Sequence, residues 1–96
     1  MKAKSNAIFL AKRSYSKKDE GTEEVKTLRC YDFLVFENET DCGLVKPEVK
    51  TMIVEDNDKN KIAETLNLYE NCVLVFDVVV GREGKVYFKP VDVERK

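Results

Sequence analysis

Between Cys72 and Val93 the chain reads CVLVFDVVV, then GREG, then KVYFKPVDV. Two runs dense in β-branched and aromatic residues suit a pleated surface. Gly81 and Gly84 bracket Arg82-Glu83, the kind of turn in which positive φ is needed and glycine supplies it. The segment therefore reads as a β-hairpin. Cys72, Leu74, Phe76, Val78 and Val80 share one side of its first strand, and Val73, Val75, Asp77 and Val79 share the other. On the return strand Val86, Phe88 and Pro90 alternate with Lys85, Tyr87, Lys89 and Val91. A core built on this ribbon takes in Cys72, Leu74, Phe76, Val86 and Phe88. Lys85, Tyr87 and Lys89 are left as a stripe facing solvent or a ligand. Asp77, set among apolar neighbours, is expected on an exposed face or paired with a lysine across the strands.

The rest of the chain must complete that core. Ala7–Arg13 (AIFLAKR) reads as a first strand, followed over Ser14–Glu24 by a polar stretch expected to form a long hairpin loop. Val25–Phe36 reads as a long second strand, mixed in its first half and apolar on both faces in its second. Asn38–Gly43 has turn chemistry, and the proline of Leu44–Pro47 belongs at a strand edge or start. A third strand is expected over Val49–Glu55, with Val49, Thr51 and Ile53 on one face. The one helix expected is Lys59–Leu68, capped by Asp58 and turning Ile62, Leu66 and Tyr69, with Ala63, toward a core.

Ninety-six residues, 43% hydrophobic and 36% charged, make one domain spanning 1–96, with segments 1–6 and 94–96 as flexible ends. No apolar run reaches the roughly 20 residues of a membrane-spanning helix. The N-terminal apolar stretch is also too short for a signal peptide, so a cytoplasmic location is expected. Cys30, Cys42 and Cys72 are an odd set in a chain without histidine. That pattern favours reduced thiols, two of them packed on strands, over a disulfide framework or a zinc site.

The coarse order is β-β-β-α-β-β. A helix between the third and fourth of five strands resembles the oligonucleotide/oligosaccharide-binding (OB) fold, a five-stranded, partly open barrel. Val78–Val91, VVVGREGKVYFKPV, is similar to the last hairpin of small OB-fold single-stranded DNA-binding proteins of phages and mobile elements. The resemblance spans Ala7–Val93 and implies a mainly β, OB-like barrel and a role in DNA replication. It also implies a groove lined by the second and third strands and two hairpin loops, which would receive Arg29, Tyr31, Lys50 and Arg82. A homodimer, with Val73, Val75 and Val79 as its contact, and a replication or host protein are the further partners it admits. A different β-rich meander with one packed helix is the competing architecture.

Chemistry narrows the function classes. The sequence has no histidine, no G-x-S-x-G and no phosphate-cradling glycine loop, so catalytic residues, a metal and a cofactor are not expected. Single-strand binding needs cations along a groove and aromatic faces for stacking. Base and aromatic residues share strand faces at Arg29 and Tyr31 and at Lys85, Tyr87 and Lys89, and they cluster at Lys12, Arg13, Tyr15, Lys17 and Lys18 in the first hairpin; Lys50 and Arg82 extend the track. The expectation is non-enzymatic binding of single-stranded DNA, or RNA, with low sequence specificity. Arg29, Lys50, Lys85 and Lys89 would hold phosphates, while Tyr15, Tyr31 and Tyr87 stack bases. The alternative is a protein–protein or inhibitor module on the same barrel. Net charge is −1, but residues 1–18 hold six bases and no acid. Residues 85–96 are also basic on balance, so the two ends would form one positive face if the fold joins them.

Overall fold

The computed structural model describes residues 2–18, 20–21, 23–36 and 47–96. The elements run β1 (Lys2–Lys18), β2 (Val25–Phe36), β3 (Pro47–Glu55), α1 (Lys61–Thr65), β4 (Asn71–Val80) and β5 (Val86–Arg95). The strands form one antiparallel sheet in the order β3-β2-β1-β4-β5. The expected turn at Asn38–Gly43, together with Cys42, lies outside the described residues; Pro47 opens β3, an edge strand where its missing N–H is tolerated.

β1 is the axis of the fold because it serves two partners. Lys2–Ile8 pairs with β4, and Ala7–Lys18 pairs with β2. The chain changes partner at Ala7 and Ile8, and the β1–β2 register shifts between Phe9 and Ala11. A bulge of this kind bends and twists a strand, which lets one strand serve both halves of a curled sheet. The backbone groups freed there are taken up by the segment before β4. Phe9 N donates to Glu70 O at 3.0 Å, and Tyr69 N donates to Phe9 O at 2.8 Å. The edge strands β3 and β5 approach each other across the core. Among the described residues no hydrogen-bonded ladder joins them, so the sheet is curled and not closed.

The core sits inside that curl. Phe9, Tyr31, Phe33, Met52, Cys72, Leu74, Phe76 and Val93 are buried in it, and Phe9 meets Phe33 edge to face at 5.6 Å. Burying one such side chain contributes about 1.5–3 kcal/mol. Helix α1 packs on the same cluster through Ala63 and Leu66. At five residues it would not hold together alone.

Several expectations change in three dimensions. The helix is shorter than Lys59–Leu68: Leu66 is already extended, and Tyr69 has φ +64°. The chain must leave helical geometry there to bring Tyr69 and Glu70 to β1. Asp58 ends a 3-10 turn, and the cap is Asn60, whose Oδ1 accepts from Ala63 N at 2.9 Å. Ile62 and Tyr69 are exposed, leaving Ala63 and Leu66 as the buried stripe. Residues 2–6, expected to be flexible, are strand, and Ser14–Lys18, expected to be loop, continue β1.

Val86 and Phe88, expected in the core, are 51% and 53% exposed. The described β1–β4 ladder runs from Ile8 to Lys2, opposite Asp77, and among the described residues no strand pairs with β4 beyond it. At the opposite corner β3 stops at Glu55 opposite Leu28, leaving Ser16–Lys18 and Val25–Thr27 as a second two-stranded arm. The two arms help to stretch the fold to 51 × 39 × 20 Å. Among the described residues no helix is long and apolar enough to cross a membrane.

Candidate functional site

Three of the residues expected to bind a ligand are committed elsewhere. Tyr31 is fully buried, with no ring face open for stacking. Burial, with the Glu64 carboxylate adding to it, pushes its phenol up to about 12. The hydroxyl lies near Glu64 and Arg29 but makes no well-aligned hydrogen bond. Arg29 sits 5.9 Å from the Tyr31 ring centroid and is forked onto Glu64, with Nε to Oε2 at 2.8 Å and Nη2 to Oε1 at 2.9 Å. Its Nη1 donates to Ser14 Oγ at 2.8 Å. This bidentate hydrogen bonding, ahead of simple charge attraction, holds the Glu64 carboxyl down at about 2. Lys12, register partner of Tyr31, points to the same side and donates to Glu64 O at 3.0 Å. Arg29, Lys12 and Glu64 thus latch α1 over the open end of the core. Alternation along β2 put Arg29 and Tyr31 on one face, as expected, but that face is the inner one.

Lys50 is bound to Glu48 at 3.1 Å. Lys89 stands opposite Asp77, whose carboxylate is paired with Lys2 and held below its usual range by that hydrogen bond. The expectation for Asp77 therefore holds, since its lysine comes from across the strands. The ends of the chain do flank one strand, β4, but Lys2 is taken by Asp77, Lys4 by Glu94 at 2.7 Å and Arg95 by Glu70 at 3.3 Å. Much of the charge expected to form a joint positive face is thereby cancelled.

Two groups of candidates remain, on the two arms. Tyr87, with Lys85 beside it, lies on the β4–β5 arm opposite Val79, and Arg82 is in the turn. The Tyr87 ring closes over Gly81 so tightly that a Cβ there would fall 2.6 Å from a ring carbon. Gly81 N–H also donates to Lys85 O at 2.7 Å.

The other group is denser. Arg13, Tyr15 and Lys17 alternate along the outer side of β1, with Cys30, Leu28 and Lys26 as their partners on β2. Arg13 is anchored by Asp32, Nε to Oδ2 at 3.1 Å, yet half of its side chain is open to solvent. Thr51 Oγ1 donates to the same carboxylate at 2.6 Å. Arg13, through its hydrogen bond first, holds the Asp32 carboxyl below its usual range. Tyr15 is 39% exposed.

Lys17 stands directly opposite Lys26. Neither has an ion-pair partner among the described residues. Both line a cleft of about 590 Å³ with Lys18, Glu20, Leu28 and Glu55. Like charges directly opposite on adjacent strands disfavour folding, and a bound anion would relieve them. Lys26 was missed in the sequence because its neighbours there, Val25 and Thr27, carry no charge. Only the β1–β2 register sets it against Lys17.

Comparison with protein-family models, with curated proteins and with solved structures finds no match. The functional reading rests on the residues themselves.

Proposed function

We propose that the chain binds single-stranded nucleic acid without catalysis, using the outer side of the β1–β2 arm. Phosphates lie along Arg13, Lys17 and Lys26, with Lys18 at the rim of the cleft, and a base stacks on Tyr15. The observation that carries the reading is the Lys17–Lys26 juxtaposition. Among the described residues the two lysines face each other without an ion-pair partner, two residues along β1 from an exposed tyrosine and four from a half-open arginine. A single strand needs this alternation of cation and aromatic face. Low sequence specificity follows, since neither phosphate contact nor stacking reads base edges.

An OB-like barrel is the architecture that best accommodates the site. The strand order, the helix between β3 and β4, the partner change in β1 and the approach of β3 to β5 all fit it. Arg29, Tyr31 and Lys12 pass from the binding role to the core latch. Lys85, Tyr87, Lys89, Lys50 and Arg82 contribute at most a secondary track. The competing reading, a protein-binding module without nucleic acid, draws on the exposed apolar β4–β5 arm.

Fluorescence anisotropy with labelled oligo-dT and matched duplex, over a salt series, tests the proposal. Single strand is expected to bind in preference to duplex. Lys17→Ala/Lys26→Ala is expected to lower the slope of log K against log salt by up to about 1.4, from roughly 0.7 for each phosphate no longer neutralised. Absence of binding by the native chain at low salt would overturn it.

A further inference from the structure

The basic cleft holds charges of both signs that do not use one another. Lys17, Lys18, Lys26, Glu20 and Glu55 line it with Leu28, and among the described residues none of these charges has an ion-pair partner. Phosphate accounts for the lysines but not for the acids, since a carboxylate beside the track weakens its hold on phosphate. Glu55 is the better placed of the two acids. It is the register partner of Leu28, and Leu28 is the register partner of Tyr15. Residues directly opposite on adjacent strands share a face. Tyr15, Leu28 and Glu55 therefore make one row across β1, β2 and β3, running from aromatic through apolar to carboxylate. Lys17 and Lys26 make the next row toward the arm tip. Neighbouring strands lie about 4.8 Å apart, so a base laid flat on Tyr15 and Leu28 brings its edge to β3, where Glu55 stands. Its phosphate falls toward Lys17 and Lys26.

We infer that Glu55 reads the pairing edge of that base and favours guanine. This rests on the single-strand reading above and adds a base preference to it. A carboxylate only accepts hydrogen bonds. Guanine offers it two donors side by side, N1–H and the 2-amino group, in the forked arrangement that makes such contacts strong. Cytosine and adenine offer one amino group beside a ring nitrogen that accepts. Thymine and uracil offer one N–H between two carbonyl oxygens, which repel a carboxylate. In a single strand these edges are open, because no partner strand covers them. Glu55 is exposed, so the preference is about fivefold, the low end of what a bidentate contact to a base gives. Other sequences still bind through phosphate contact and stacking.

Anisotropy titration with labelled alternating T-G, alternating T-inosine and all-T oligodeoxynucleotides of equal length tests the inference, in lithium chloride, which does not support guanine quadruplexes. Inosine keeps the purine rings and N1–H but lacks the 2-amino group, so it separates edge reading from stronger purine stacking. The native chain is expected to bind T-G about fivefold more tightly than all-T, with T-inosine between them. Glu55→Ala removes a side chain already open to solvent, so the melting temperature should change little. The variant is expected to bind all-T at least as tightly as the native chain, having lost an acid beside the phosphates, and to lose the preference for T-G. Equal binding of T-G and all-T, or of T-G and T-inosine, would overturn the inference and leave single-strand binding standing. A preference for T-G that survives in Glu55→Ala would do the same. Binding of none of the three by the native chain would overturn the single-strand reading and the inference with it.

Discussion

At Tyr31 a phenol hydroxyl is buried beside an ion pair that does not use it. An unsatisfied buried hydroxyl costs about 1–3 kcal/mol, so Tyr31→Phe is expected to leave stability unchanged or raise it by about 1 kcal/mol, measured by urea denaturation. A clear fall would mean that the hydroxyl is bonded after all. Oligonucleotide affinity should not move, because the ring has no open face. Glu64 makes the opposite case. Its folded pKa of about 2 lies below the unfolded value, so its contribution is present above the unfolded pKa and is lost as pH falls from about 5 toward 2. With water reaching the open side of the pair, that contribution is about 1–2 kcal/mol. Glu64→Gln is expected to lower the melting temperature at pH 7 and to flatten the acid limb of stability against pH. Asp32, also held down, keeps part of that limb in the variant.

At the scale of elements, α1 depends on its ends. Asn60 accepts from Ala63 N and donates through Nδ2 to Asp92 Oδ1 at 2.9 Å, joining the cap to β5. Asn60→Ala is expected to cost about 1–2 kcal/mol by thermal denaturation. Hydrogen exchange should rise first at Ala63–Leu66. In the β4–β5 turn, Glu83 and Gly84 both have positive φ, +65° and +74°. Gly84→Ala is therefore expected to destabilise by about 1 kcal/mol, whereas Glu83→Gly relieves strain. The element order was legible from composition and alternation, and β2 begins and ends where its sequence says it should. Less visible was how far each ladder runs. Val86 and Phe88 have the alternation of core residues, but whether they are covered depends on the β1–β4 register, which their own segment does not encode. Arg29 and Tyr31 were correctly placed on one face, yet whether that face points inward depends on how the sheet curls, which β2 does not encode alone.

For the whole molecule, a chain of net charge −1 can still bind an anion if its unpaired cations are gathered and the others are cancelled. Lys2, Lys4, Arg13, Arg29, Lys50 and Arg95 are each matched by an acid, whereas among the described residues Lys17 and Lys26 are not. Part of that site was readable: Lys12, Arg13, Tyr15, Lys17 and Lys18 stand close together in the chain, but Lys26 needed the strand register. The same juxtaposition separates function from stability. Lys26→Glu sets opposite charges across the ladder and is expected to raise stability by a few tenths of a kcal/mol, while removing one phosphate partner and repelling the strand. Anisotropy titration of oligo-dT at low salt, native chain against Lys26→Glu, tests the central claim most directly. The account predicts salt-sensitive binding by the native chain and at least about tenfold weaker binding by the equally or more stable variant. Equal affinity of the two, or no binding by the native chain, would contradict it.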